Sequence, residues 1–267
     1  MIPTALSIAG SDPSGGAGVQ ADLKTFSARG VYGMTVLTAL TAQNTQGVTA
    51  IEVLTPEFLT AQLDAVFADV RVGAVKVGMI ANAPLANAVA EGLRRHASAL
   101  PVVVDPVMVA KGGARLLDPE AVTAVTEKLL PCATVITPNL PEAAALLRCR
   151  EATSREEMER QARSLLTLGA SAVLLKGGHL NSEFSPDILA SNTGLTWLDA
   201  PRIPTKNTHG TGCSLSAAIA AELAKGQTIG VAVASAKQYL TGAIRHADAL
   251  DIGHGHGPTH HFFDLWS

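Results

Sequence analysis

The sequence predicts an α/β protein built on a largely parallel β-sheet. Three observations predict it. Short apolar runs alternate with longer helical segments. Each run is apolar or β-branched on both faces, as suits a strand covered on both sides. The longer segments open with readable helix starts.

The expected strands are residues 5–9, 34–39, 51–54, 74–79, 102–105, 134–137 and 172–176. Residues 187–191 and 195–198, split by Thr193-Gly194, read as a hairpin. A first helix is expected over 19–26. Thr55-Pro56-Glu57 supplies a cap, a Pro at the first helical position and an acid at the positive end, ahead of a helix over 58–67. Asp118-Pro119-Glu120 repeats that grammar ahead of 121–130. Ser154, with Glu157 three residues on, forms a capping box ahead of 158–168. Two more helices are expected over 212–224 and 229–249.

Composition narrows the class. With 267 residues, 47% of them hydrophobic and only 4% aromatic, the chain can fill a large core with Ala, Val and Leu. That excludes a disordered chain. No repeat of fixed period and no long linker interrupts it, so one domain over 1–267 is expected, with a small lid as the alternative. A net charge of −3 argues against nucleic acid. No run reaches the roughly 18 apolar residues of a membrane span, and no signal peptide is legible. Three cysteines, Cys132, Cys149 and Cys213, are too few and odd in number for a disulfide framework. A cytoplasmic protein is expected.

The strongest chemical signal is Asn207-Thr208-His209-Gly210-Thr211-Gly212-Cys213, running into an apolar helix. Gly210 and Gly212 let backbone approach a ligand, and the helix start offers unpaired N–H groups to an anion such as phosphate. The same turn also reads as an ordinary helix start. Cys213 lies in the first turn, where the helix terminus lowers a thiol below its free pKa of about 8.5 and suits it to be a general base. Cys132 and Cys149 read as structural.

A second loop, Gly10-Ser11-Asp12-Pro13-Ser14-Gly15-Gly16-Ala17-Gly18, follows the first strand. It does not match the Gly-x-Gly-x-x-Gly dinucleotide spacing, but a strand's carboxyl end is where open α/β sheets bind ligands. A third, Thr137-Pro138-Asn139-Leu140-Pro141-Glu142, offers Asn139 as a cap and Glu142 as an oxygen ligand for hydrated Mg²⁺. Asp105 ends one strand and Lys176 another; in a parallel sheet these charges converge near the glycine loops. His254, His256, His260 and His261 sit among Gly and Pro, which favours a terminal loop folded over the body above a metal site.

Taken in order, these segments resemble the hydroxymethylpyrimidine/phosphomethylpyrimidine kinases, ribokinase-like enzymes of thiamine biosynthesis. The resemblance runs from Ala9–Gly18 and Gln20-Ala21-Asp22-Leu23-Lys24-Thr25, through Thr41-Ala42-Gln43-Asn44-Thr45, Lys76-Val77-Gly78-Met79 and Asp105-Pro106-Val107-Met108. It continues through Thr137–Glu142, Lys176-Gly177-Gly178-His179 and Lys206–Cys213 to the tail Gly257-Pro258-x-His260-His261-Phe262. It implies a ribokinase-like fold with helices on both faces of the sheet, ATP and Mg²⁺ as cofactors, and a homodimer. It also implies two reactions, phosphorylation of 4-amino-5-hydroxymethyl-2-methylpyrimidine and then of its monophosphate. Pyridoxal kinases are the nearest alternative, and a catalytically silent binding protein is another.

By the same resemblance, Gln43 recognises the pyrimidine, as a carboxamide that donates and accepts can. Gly10, Asp22, Met79 and Val107 complete the substrate pocket. Lys176, Asn139 and Thr208 serve the nucleotide, while Glu142 and Asp105 serve Mg²⁺. Gly210, Thr211 and Gly212 form the anion hole beside Cys213. Sugar kinases of this superfamily carry Asp where this chain has Cys213. If Cys213 is the base, Cys213→Ala should slow transfer to the alcohol much more than transfer to the already anionic monophosphate.

Overall fold

The computed structural model describes residues 1–108 and 119–266. In chain order the elements begin β1 (Thr4–Ala9), α1 (Gly18–Ala28), β2 (Tyr32–Leu37), β3 (Ala39–Asn44), β4 (Gly47–Val53) and α2 (Pro56–Asp69). Then come β5 (Ala74–Val77), α3 (Ala83–His96), β6 (Val102–Val104), α4 (Pro119–Ala124), β7 (Val135–Ile136) and α5 (Leu140–Leu147). The chain closes with α6 (Arg155–Leu166), β8 (Ala172–Lys176), β9 (Asp187–Ser191), β10 (Gly194–Leu198), α7 (Thr211–Ala224) and α8 (Ile229–Arg245).

Eight strands form one sheet in the order β10-β9-β8-β7-β6-β5-β1-β2. Pairings from β2 across to β8 are parallel; β9 and β10 run antiparallel at one edge. Period-2 alternation sorts the side chains into two cores. Leu6, Ile8, Val75, Val77, Val102, Val104, Ile136, Val173 and Leu175 pack under α2 through α6. Ala5, Val103, Val135, Ala172 and Leu174 pack under α1, α7 and α8, where the alanines of α7 allow close approach. Each fully buried Val or Leu contributes about 1.5–3 kcal/mol, so the two-sided sheet is the main store of stability. Among the described residues no helix is long and apolar enough to cross a membrane.

Helix starts follow the capping grammar. The Thr55 side chain accepts from the Phe58 amide ahead of α2, with Pro56 and Glu57 in place. Ser154 accepts from the Glu157 amide, but the Glu157 carboxylate reaches back to Thr153 rather than closing the box on Ser154. Asp118, the expected cap of α4, lies outside the described residues. Helix α4 is short and continues as one wider, π-helical turn over Val125–Leu129.

Other expected elements are displaced. The strand expected over 34–39 begins and ends two residues earlier, and Ala39 opens a different strand. Residues 51–54 do not join the main sheet. Residues 51–53 belong to β4, which among the described residues pairs only with β3 as a separate antiparallel ribbon, and Leu54 lies beyond its end. The side chain of Asn44 makes this turn by accepting from the amides of Gln46 and Gly47. Helix α3 was not expected, although Asn82 caps it and Pro84 stands in its first turn. Helix α8 stops at Arg245, four residues short of the expected end, and a 3₁₀ turn covers Ala247–Ala249.

Candidate active site

Because β1, β5, β6, β7 and β8 are parallel, their carboxyl ends share one edge. That edge carries the Gly10–Gly18 loop, Met79, Asp105, Asn139 and Lys176. The start of α7 comes down onto it. Gly210, the N-cap of α7, has φ 76° and carries no side chain to cap the helix. A Cβ there would stand 1.7 Å from the Gly16 carbonyl oxygen, so only glycine lets the two loops touch. The amides of the first turn have no acceptor within the helix, that of Thr211 making only a long bond to the Thr208 carbonyl at 3.4 Å, and the dipole's positive end is aimed at the strand termini.

The expected strand-end charges do converge. Lys176 Nζ lies 2.9 Å from Asp105 Oδ1 and 4.0 Å from Glu142 Oε2. Thr137 Oγ1 donates to the same Asp105 oxygen at 2.9 Å. A Cβ on Gly212 would lie 3.3 Å from Asp105 Oδ2 and 3.4 Å from Lys176 Nζ, so this cluster sits at the mouth of α7. Asn139 and Glu142 are also a complete capping box for α5: Asn139 Oδ1 accepts from the Glu142 amide and Glu142 Oε2 from the Asn139 amide, both at 2.8 Å. Burial pushes Glu142 up to about 7; Lys176 pulls it down and the charge of Asp105 opposes that. Asp105 is held below the usual carboxylate range: burial raises it, but Lys176 and Lys76 outweigh burial.

Two cavities meet at this cluster. One, of about 680 Å³, is walled by Gly10, Gln43, Met79, Val107, Gly210 and Cys213. The other, of about 850 Å³, runs along β8, β9 and α8 past Gly178, Asp187, Lys237 and Leu240. Asn139, Lys176, Thr208, Thr211 and Gly212 line both.

Two expectations are corrected. Asp22 does not line the first cavity. It is fully buried behind it, bound by Lys76 Nζ at 2.8 and 3.0 Å and by Ser7 Oγ at 2.5 Å. Ser7 and Lys76 are cross-strand partners on β1 and β5, so the sheet register builds this pair. The Cys213 thiol is not lowered. Burial pushes it up to about 11, against the pull of Lys76 and a hydrogen bond from the Gly18 amide, while Asp22 and Asp105 push it further. Here desolvation outweighs the charge of Lys76.

Some residues of the site were not singled out from sequence. His209 is buried on the cavity wall, and its Nε2 pairs with Asp12 Oδ2 at 2.7 Å. Asp12 also accepts from Ser14 and from the Ala17 amide, an Asx-type turn that Asp-Pro-Ser-Gly announces. Burial alone would raise Asp12; the His209 and Ser14 hydrogen bonds bring it net below its ordinary value. Lys76, alone in an apolar strand, is held above the usual Lys range, because Asp22 outweighs burial. Such a Lys needs a partner, and that was its signal.

The histidine-rich tail folds over the body, as expected. The His256 amide donates to Thr45 of the ribbon turn, and the His209 amide donates to Gly257. Among the described residues no group of three or more His, Cys, Asp or Glu is placed to hold a metal ion. Cys149 is exposed and Cys132 partly so.

A family model described as phosphomethylpyrimidine kinase matches residues 12–260. The chain is 54% identical to the hydroxymethylpyrimidine/phosphomethylpyrimidine kinase of Escherichia coli, covering 98% of each chain. Among solved structures, it is similar to Bacillus subtilis pyridoxal kinase in its ADP complex, with TM-score 0.91, 39% identity and complete coverage of both chains. It is also similar to the phosphomethylpyrimidine kinase of Clostridium difficile, with TM-score 0.80 and 43% identity over 91% of this chain and 99% of that one.

Proposed function

The chain belongs to the phosphomethylpyrimidine kinase family, and from that premise we propose how its two cavities divide the work. It is an ATP-dependent kinase that phosphorylates 4-amino-5-hydroxymethyl-2-methylpyrimidine to the monophosphate and then to the diphosphate, in thiamine biosynthesis. The observation that carries the division is the meeting of two cavities at Thr208, Thr211, Gly212 and Lys176. The smaller cavity takes the heterocycle, with Gln43 for its ring nitrogen and amino group and with Gly10, Met79 and Val107 as walls. Asp22 acts from behind, holding Lys76. The larger cavity takes the nucleotide.

At the junction the chain's own groups do the work. The amides of Thr211 and Gly212 receive the negative charge of the transferring phosphoryl group. Lys176 gives a fixed positive charge to the phosphate oxygens, and Asn139 and Thr208 bound their path. Glu142 and Asp105 fit a hydrated Mg²⁺: both are oxygen donors, they flank Lys176 at the junction, and burial holds the Glu142 carboxyl up although Lys176 lies 4.0 Å away. Bound there, Mg²⁺ would neutralise phosphate charge. Cys213 faces the reacting oxygen as a thiol that keeps its proton near neutral pH, so a role as base requires that proton to leave before each transfer to the alcohol.

A candidate face for the homodimer is the β3–β4 ribbon, which exposes Ile51 and Val53 on one side and Leu40 on the other. Light scattering of wild type against an Ile51→Lys, Val53→Lys variant tests it. A cytoplasmic location and the absence of nucleic-acid partners are part of the same proposal.

Incubation with ATP, Mg²⁺ and the pyrimidine alcohol, followed by mass detection, tests the function. Mono- and diphosphate are expected in succession; ADP release without either product would reject it. The likeness to pyridoxal kinase favours pyridoxal as a second substrate. Competition at equal concentrations should favour the pyrimidine, and a preference for pyridoxal would reverse the order.

A further inference from the structure

The carboxy-terminal tail reaches the anion hole from behind. His261 is 4% exposed and Ser214 is fully buried. His261 Nε2 lies 3.0 Å from Ser214 Oγ, and Ser214 Oγ lies 2.9 Å from the carbonyl oxygen of Gly210. The Ser214 amide reaches the same carbonyl at 2.8 Å.

One hydroxyl proton cannot serve both neighbours. If it pointed at His261, the hydroxyl oxygen would face the Gly210 carbonyl oxygen with lone pair against lone pair. Donation to Gly210 removes that repulsion and leaves Ser214 Oγ as an acceptor, so the imidazole proton sits on Nε2. The chain of donors runs from His261 to Ser214 to Gly210.

Gly210 is the hinge of the anion hole, with φ 76°. Its carbonyl belongs to the same peptide unit as the Thr211 amide. That amide makes a long bond to the Thr208 carbonyl, at 3.4 Å, which a phosphoryl oxygen would displace; fixing the Gly210 oxygen fixes the plane in which the amide can do so. The tail residue is itself anchored independently, since Tyr239 Oη donates to the His261 carbonyl at 2.8 Å and the His260 amide donates to the Ala243 carbonyl on α8 at 3.0 Å.

We propose that His261 is a positioning residue for phosphoryl transfer, acting through the Ser214 hydroxyl to orient the Gly210–Thr211 peptide. The inference rests on the kinase reading above. It requires that loss of the donor at residue 261 slow the chemical step while ground-state binding persists, because the amide's alignment matters most when charge develops on the phosphoryl oxygens.

The test compares Ser214→Ala, His261→Leu, His261→Gln, Tyr239→Phe and the Ser214→Ala, His261→Leu double variant. Calorimetry with ADP counts competent sites, and kcat is expressed per ADP-binding site, so partial unfolding cannot imitate the effect. Ser214→Ala and His261→Leu should each lower kcat per site by about tenfold, the size of one well-placed hydrogen bond, with Kd for ADP and KM for the alcohol within about threefold. The double variant should be no slower than the slower single one. His261→Gln, whose amide can donate in place of Nε2–H, should recover most of the rate. Tyr239→Phe, which loosens the tail without touching the relay, should lower Tm but keep kcat per site.

Wild-type kcat per site in both Ser214→Ala and His261→Leu would overturn the proposal; should His261→Leu not fold, Ser214→Ala decides it alone. A loss in Tyr239→Phe as large as in Ser214→Ala would overturn it too, in favour of general tail docking. A wild-type chain that neither binds ADP nor turns over would instead overturn the kinase reading, and this inference with it.

Discussion

His209 Nε2 stands 2.7 Å from Asp12 Oδ2, across 197 residues of sequence, and ties the loop after β1 to the loop that opens α7. Asp12 also gathers Ser14 and Ala17, so one carboxylate organises both glycine-rich loops. Asp12→Ala should cost about 2–3 kcal/mol in urea unfolding, as for a buried charge-assisted hydrogen bond. It should also lower kcat by about tenfold or more, through misplacement of Gly210. A stability change below about 0.5 kcal/mol would mark the pair as incidental.

Two glycines separate backbone strain from contact. Gly210 and Gly226 both have positive φ, 76° and 83°. A Cβ on Gly226 meets nothing within 4 Å, whereas one on Gly210 meets the Gly16 oxygen at 1.7 Å. Gly226→Ala should cost about 1 kcal/mol with activity retained. Gly210→Ala should cost more than about 2 kcal/mol and remove most activity. Equal costs for the two would mean that the loops do not need their close approach.

Cys213 carries a thiol pushed up to about 11 by burial. A working general base is worth about 10²–10⁴ in rate. With its proton in place near neutral pH, Cys213→Ala should slow transfer to the alcohol by less than about tenfold, and transfer to the monophosphate by a similar factor. A loss of about 100-fold or more confined to the alcohol would restore the base role.

His261 gives the chain a built-in acid sensitivity. Burial holds its imidazole down to about 3 from an ordinary 6.5, with Lys24 and His260 adding to the effect. Between those values the unfolded chain binds a proton that the folded chain refuses, so stability falls as pH drops below about 6.5. The slope approaches 1.4 kcal/mol per pH unit, roughly, for one proton. Unfolding curves at pH 6.5 and pH 4 should therefore show wild type losing about 3 kcal/mol more than His261→Gln. Parallel losses in both proteins would place the titrating group elsewhere.

Much of the fold was legible because its signals are local. Two-sided apolar runs, Thr55-Pro56-Glu57 and the Asn139 cap needed no partner to be read. The β3–β4 ribbon was not legible as such: among the described residues its strands pair only with each other, and no local pattern shows that they leave the main sheet. In the site, Lys176, Asp105 and Glu142 converge as expected from strands that end on one edge. The misassignments were long-range. Asp22 is withdrawn from the cavity by Lys76, a partner 54 residues away, and the Cys213 thiol feels a burial that only the packed structure creates. His209 needed Asp12, and His261 needed Ser214, before either could be read as more than a histidine in a glycine-rich stretch.

The central claim is that phosphoryl transfer occurs where the two cavities meet, at the first turn of α7. A crystal structure with a non-hydrolysable ATP analogue, Mg²⁺ and the pyrimidine alcohol measures it most directly. The γ-phosphate should lie within hydrogen-bond reach of the Thr211 and Gly212 amides, between Lys176 and the alcohol oxygen held near Gln43 and Cys213. A terminal phosphate bound away from that turn, with Gly210–Gly212 contacting neither ligand, would contradict the account.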